Sequence, residues 1–192
     1  MIKIEQRIQE AIQKNTPFII AIDGNAGSGK TTLVKSLVEK YPIDVISMDD
    51  FFLPFELKNH ERLSQPGNNF HYERFLQEIV PNIYNDNPWT YEAYNCQTKT
   101  FSPKKLEGKR IKIVEGVYSC HPLFQNIYDF KVGIRITESL QQQRILKRNG
   151  QEMWAKFQSL WIPQENNYFD HFQIFTACEY IIEADQVCDL TR

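Results

Sequence analysis

The stretch Phe18–Thr31, FIIAIDGNAGSGKT, decides the reading of this chain. Its first half, Phe18 to Asp23, is a continuous apolar run of strand length, the pattern of a central strand buried on both faces of a parallel sheet. Its second half places Gly24, four residues, then Gly29, Lys30 and Thr31, which is the spacing of a phosphate-binding loop. The position supports the motif: a strand precedes it, and Thr32 to Lys40, with Leu33, Val34, Leu37 and Val38 turned inward, reads as the helix that follows. Gly24, Gly27 and Gly29 allow backbone angles that side chains forbid, so successive N–H groups can converge on phosphate oxygens at the positive end of that helix. The expected nucleotide-binding set is Gly24, Asn25, Ala26, Gly27, Ser28, Gly29, Lys30, Thr31 and Thr32. Lys30 would reach the β and γ phosphates of ATP, and the Thr31 hydroxyl would ligate Mg²⁺.

Working outward, Ile4, Ile8, Ala11 and Ile12 recur at helical spacing and predict an amphipathic opening helix. Strands are expected at residues 44–48, 111–114, 130–136 and 180–182. Residues 56–69 read as an irregular excursion, 72–84 as a helix, and 88–103 as a hairpin or flap over a cleft. A helix over 138–148 closes at Asn149 and Gly150, and a second helical stretch carries Met153, Trp154 and Phe157. Strands separated by helices in this order predict an α/β chain with the P-loop NTPase fold: a doubly wound, mostly parallel sheet flanked by helices, with a small flap and a helical lid. The 192 residues, 42% of them apolar, suit a single domain over 1–192.

Two carboxylates fall at the carboxyl ends of expected strands, the edge where open parallel sheets bind ligands. Asp49 can take a proton from an attacking hydroxyl or hold water on Mg²⁺. Glu115 would stand beside the metal; for both, a solvated turn residue is the plain alternative, and it weighs more for Asp50. Arg144 and Arg148, four apart on one helix face, could fold over a transferring phosphoryl group, or simply form a solvated basic helix end.

Bulk properties exclude other classes. With 22 Lys and Arg against 24 Asp and Glu the net charge is −2, which offers no electrostatic case for nucleic acid or membrane as partner. Cys96, Cys120, Cys178 and Cys188 form no C-x-x-C pair and read as small core hydrophobes in a reducing, cytoplasmic setting. His60, His121 and His171 have no metal-ligand spacing, and Trp154, Trp161 and Phe169 read as packing aromatics.

Taken together, GNAGSGKTT, MDDFF (48–52), PGNNFHYERF (66–75), IVEGVYSCHP (113–122) and RILKRNG (144–150) make the chain resemble the uridine kinase family over about residues 15–185, and more distantly phosphoribulokinase and bacterial pantothenate kinase. The resemblance implies an ATP-dependent kinase acting on a hydroxyl of a nucleoside-like small molecule. It implies Asp49 as general base, Glu115 as metal-side carboxylate, Arg144 and Arg148 as lid arginines, and a homo-oligomer. Phe52 stands where the family usually has tyrosine, His71 where an aspartate holds the ribose hydroxyls, and Tyr94, Asn95, Cys96 where a base-reading sequence is expected. Phe52, His71 and Tyr94 are therefore the expected acceptor contacts. These departures leave a kinase for another small alcohol, or a nucleotide-binding regulatory protein, as alternatives.

Overall fold

The computed structural model describes residues 2–190, with side chains described for residues 3–187, so the Cys188 side chain lies outside the described residues. The chain opens with α1 (Ile2–Lys14), β1 (Phe18–Gly24), α2 (Lys30–Lys40) and β2 (Ile43–Ser47). After a 3₁₀ turn at Met48–Phe51 come α3 (His60–Ser64) and α4 (Tyr72–Arg74); α4 runs on through a π turn and a further 3₁₀ turn to residue 82. Next follow β3 (Trp89–Asn95), β4 (Thr100–Leu106), β5 (Ile111–Glu115), β6 (Phe130–Arg135), α5 (Glu138–Lys156), α6 (Ile162–His171), α7 (Ile174–Ala177), β7 (Tyr180–Glu183) and α8 (Ala184–Leu190).

Five strands form one sheet in the order β2-β5-β1-β6-β7, and every pairing in it is parallel. β1 lies at the centre, wholly buried along its length, which explains its uninterrupted apolar run. Side chains alternate across it. Ile20 and Ile22 join Ile4, Ile8, Leu33, Leu37 and Val187 on the face covered by α1, α2 and α8. Ile19 and Ala21 join Phe70, Phe75, Phe124, Tyr168 and Phe169 on the other. At β1 the chain's connections diverge to the two sides of the sheet, so the carboxyl ends of β1, β2 and β5 open a crevice there.

The expected strands all form, with ends shifted by a residue or so. Three details differ. Helix α2 begins at Lys30, because Gly29 caps it in the left-handed region (φ 102°). Ile12 and Val38, expected inward, are 43% and 39% exposed, since each apolar stripe is narrower than its run of apolar residues suggests. The 56–69 excursion contains α3, whose first turn is capped by Asn59 Oδ1 accepting from the Arg62 N–H at 2.7 Å. The helix expected over 138–148 does break at Gly150, which takes the non-helical angles φ 79°, ψ 176°, and the expected second helical stretch with Met153 and Trp154 follows within α5. The hairpin β3–β4 is antiparallel as expected, but it packs on the turn after β2, where the Tyr91 hydroxyl donates to Asp50 Oδ2 (2.7 Å) and Lys104 pairs with the same oxygen (2.7 Å). None of its residues lines the crevice.

Candidate active site

The glycine loop leaves β1 through a close approach to the next strand. A Cβ on Gly24 would lie 2.4 Å from the backbone oxygen of Ile134 on β6, so only glycine fits. The loop closes with the Ser28 N–H donating to Asn25 O (3.1 Å) and hands over to the N-terminus of α2. Lys30 is nearly buried and bends back over the loop, its Nζ donating to Gly24 O (2.6 Å) and Asn25 O (3.1 Å). Left-handed glycines, a helix N-terminus and a lysine turned over them form a cradle that fits the phosphates of a nucleotide.

The loop forms one wall of a cavity of about 510 Å³, a size that suits a small-molecule ligand. Ala26, Gly27, Gly29, Lys30, Thr31 and Thr32 line it, together with Asp49, Phe52, Glu115, Arg144 and Arg148. Asp49 sits in the 3₁₀ turn directly after β2 and Glu115 ends β5, so the sheet delivers both carboxylates to the loop's edge. Glu115 is buried, and Ser47 Oγ donates to its Oε1 at 3.3 Å. Burial pushes the Glu115 carboxyl above its ordinary range, while Lys30 pulls it back. Asp49 opens to the cavity but is crowded by protein on its other sides; that loss of hydration raises its carboxyl, again opposed by Lys30.

Arg144 is tied into the loop: its Nη1 donates to Gly27 O (3.0 Å) and Ser28 O (3.2 Å), and its Nη2 to Ala184 O (2.8 Å). Arg148, one turn on, is exposed and bonds its neighbour Asn149 (2.7 Å). Both arginines line the cavity, but Arg144 is bonded to the backbone of the loop whereas Arg148 is exposed.

His71 and Tyr94 are not brought to the cavity. His71 caps the helical run that begins at α4, its Nδ1 accepting from the Arg74 N–H (3.4 Å) and lying 3.0 Å from Glu73 Oε2. Tyr94 is buried in the hairpin against Phe101, ring centroids 5.0 Å apart. Beside Phe52 the cavity presents Asn69, Tyr118, Met153, Phe157 and Trp161. The sequence reading did not find these. Asn69 lies two residues before the expected contact, and Trp161, in the π turn between α5 and α6, falls at helical spacing with Met153 and Phe157 and so reads as a packing aromatic.

Sequence reasoning also missed the support under the loop. Asp23, the last residue before Gly24, is completely buried; it accepts from the Gly24 N–H (2.7 Å), the Cys120 N–H (2.9 Å) and the Tyr168 hydroxyl (2.8 Å). Burial nevertheless raises its pKa to about 6, with these bonds and Lys30 holding it down. An acidic residue closing an otherwise apolar strand was the one available signal. Helix α6 supplies Tyr168, and it also supplies Glu165, whose Oε2 accepts from the Ala26 N–H at 2.8 Å, and Asn166, which accepts from Asn25 Nδ2 at 3.0 Å. Of the other expected packing residues, Trp154 is buried, and His121 stacks on Tyr168 with burial lowering its pKa to about 4. Cys120 is buried and lies 4.0 Å from Cys178, sulfur to sulfur, but Cys96 is exposed on the hairpin.

For a metal ion the cavity offers the Thr31 hydroxyl, Asp49 and Glu115, hard oxygen donors of the kind Mg²⁺ takes. Among the described residues no three acidic, histidine or cysteine side chains gather to cage an ion, so phosphate and water oxygens would have to complete its shell. Nor is any described helix long and apolar enough to cross a membrane.

No family model matches the chain. It is 24% identical over 164 residues to a uridine kinase of Ligilactobacillus salivarius, covering 78% of this chain and 75% of the relative. It is 25% identical over 191 residues to a guanylate kinase of Clostridium perfringens, covering 94% of this chain and 82% of the relative. Among solved structures, a Bacillus stearothermophilus protein described as a possible uridine kinase superposes with a TM-score of 0.64 at 18% identity, covering 94% of this chain and 99% of that one. The chain has the P-loop NTPase fold, and its relatives, named as uridine and guanylate kinases, support a phosphotransferase.

Proposed function

We propose that the chain is an ATP-dependent kinase that transfers the γ phosphate to a hydroxyl of an uncharged, nucleoside-like acceptor. The observation that carries this reading is the joint lining of one cavity by the phosphate loop, Asp49, Glu115, Arg144 and Arg148. The loop amides and Lys30 hold the phosphates of ATP. Asp49 accepts the proton of the acceptor hydroxyl as its oxygen bonds to the γ phosphorus and the bond to the β-phosphate oxygen breaks, releasing ADP. Arg148 swings onto the charge that develops, while Arg144 keeps the loop in shape. Mg²⁺ held by Thr31, Glu115 and Asp49 would neutralise phosphate charge. The homo-oligomer expected from the family resemblance and the cytoplasmic setting expected from the unpaired cysteines belong to this reading too.

The wall away from the loop favours an uncharged acceptor. The cations lining the cavity are Lys30 and Arg144, both bonded to the phosphate loop, and Arg148, one helical turn beyond Arg144. Phe52, Asn69, Tyr118, Phe157 and Trp161 offer ring faces and a neutral amide, which suit a flat heterocycle bearing hydroxyls better than a carboxylate or a second phosphate. Pantothenate, a phosphorylated pentose and a nucleoside monophosphate are disfavoured on that ground.

The test is ATP consumption against a panel of nucleosides and small alcohols, wild type beside Asp49→Asn. Acceptor-dependent ADP release should appear with a nucleoside and fall about 10²- to 10⁴-fold in the variant. Full retention by Asp49→Asn would remove Asp49 as the base, and release stimulated only by anionic acceptors would remove the uncharged-acceptor reading.

A further inference from the structure

Helix α6 holds the first half of the phosphate loop at three points. Tyr168 reaches under it to Asp23, Asn166 takes the Asn25 side chain, and Glu165 puts a carboxylate oxygen 2.8 Å from the Ala26 nitrogen. The third contact differs in kind. Asp23 and Asn25 are buried behind the loop, whereas Ala26 and Glu165 both face the cavity. An N–H of a phosphate loop is an anion donor, and here a carboxylate from the same chain already occupies it.

We propose that Glu165 is an internal anion of the phosphate loop, and that its carboxylate competes with the phosphate of an incoming nucleotide for the Ala26 N–H. This rests on the nucleotide-binding half of the proposed function and is independent of the acceptor. Binding ATP transfers the amide from α6 to the nucleotide. The other two tethers stay, so the helix loosens at one point without leaving the loop.

The charges around the site make the competition dependent on protonation. Glu165 is 6% exposed, and burial raises its pKa to about 7; the Ala26 N–H and Lys30 lower it, and Asp23 raises it. The other charged or titratable groups around it are Tyr118 after β5, Tyr168 on its own helix, Asp49 after β2 and Glu115 at the end of β5, and Arg144 and Arg148 of α5 across the cavity. Above pH 7 the group is a carboxylate that both holds the amide more strongly and repels polyphosphate; below pH 7 it is a neutral acid that does neither. Glu165→Gln copies the neutral acid in size and keeps an oxygen to accept from Ala26, so it isolates the charge.

The experiment measures dissociation constants of ATP and of inorganic tripolyphosphate for wild type and Glu165→Gln at pH 6 and pH 8.5. Protonation of the ligand cancels in the ratio between proteins. At pH 8.5 the variant should bind both ligands about tenfold more tightly than wild type, the difference between a charge-assisted and a neutral hydrogen bond, and at pH 6 the two proteins should agree within about twofold. Thermal unfolding at both pH values checks that the variant is folded; if it is not, Glu165→Ala replaces it, which removes the competing oxygen at either pH and should show a larger gain over wild type at pH 8.5 than at pH 6. Equal ratios at the two pH values, or weaker binding by the variant at pH 8.5, would make Glu165 a structural tether and overturn the inference. Failure of wild type to bind either ligand would overturn it along with the kinase reading. Binding with the expected pH pattern but no turnover on any acceptor would remove the kinase reading alone.

Discussion

Tyr168→Phe removes one oxygen atom from the support beneath the phosphate loop and leaves the ring in place. That ring packs edge-on to Tyr118 (4.9 Å between centroids) and Phe169 (5.0 Å) and stacks on His121 (6.0 Å), contacts phenylalanine keeps. What is lost is the 2.8 Å bond to a fully buried Asp23. With the carboxylate ionised, a hydrogen bond of this kind contributes about 2 kcal/mol; with Asp23 protonated, about 1 kcal/mol. The pKa of Asp23 is raised from 3.8 to about 6 on folding, so its contribution is fully present below the unfolded value and is lost as pH rises through about 6. Ionising it by pH 8 costs the fold roughly 3 kcal/mol. Taking away the hydroxyl, which lowers that pKa, pushes it further up and enlarges the loss on the alkaline side. Urea unfolding should therefore show Tyr168→Phe less stable by about 2 kcal/mol at pH 8 and about 1 kcal/mol at pH 5, with an unchanged denaturant slope. In melting temperature the pH 8 effect is about 4–8 °C. Equal decrements at the two pH values, or none at pH 8, would refute the reasoning that Asp23 is ionised in the fold and held by this hydroxyl.

Two further outcomes separate residues that a sequence motif treats alike. Arg144→Ala should lower both turnover and stability, because it strips the backbone oxygens of Gly27, Ser28 and Ala184 of their donor. Arg148→Ala should lower turnover by about 10²-fold and leave the melting temperature within about 1 °C; a matching loss of stability in both would show that the division of roles is wrong. His71→Ala should cost about 1 kcal/mol through its lost helix cap and leave the KM for the acceptor within about twofold. A tenfold rise in that KM, with the KM for ATP unchanged, would show that His71 reaches the acceptor after all.

The phosphate loop was legible in the sequence because its requirements are local. The buried strand, the three glycines, Lys30 and the start of α2 are consecutive, and each is dictated by backbone geometry within a few residues. The carboxylates were legible for a related reason: a parallel strand ends at the ligand edge, so Asp49 and Glu115 are placed by the ends of β2 and β5. Knowing where the strands stop is enough. The acceptor wall and the anchoring of the loop depend instead on which distant segments pack together. A motif register put His71 and Tyr94 in the site, whereas the packing of the 72–82 helix and of the hairpin on the turn at Met48–Phe51 turned both away and left Asn69 and Phe52 facing the cavity. Asp23 and Glu165 are 142 positions apart, and nothing in either neighbourhood announces the other. What the sequence by itself determined is a parallel sheet with a phosphate loop and two carboxylates at its edge. Only the tertiary structure decided that α6 folds back onto the loop, because a helix finds its partner by burying one face, and the face of α6 that carries Glu165, Tyr168 and Phe169 reads as ordinary core until the loop it covers is in place.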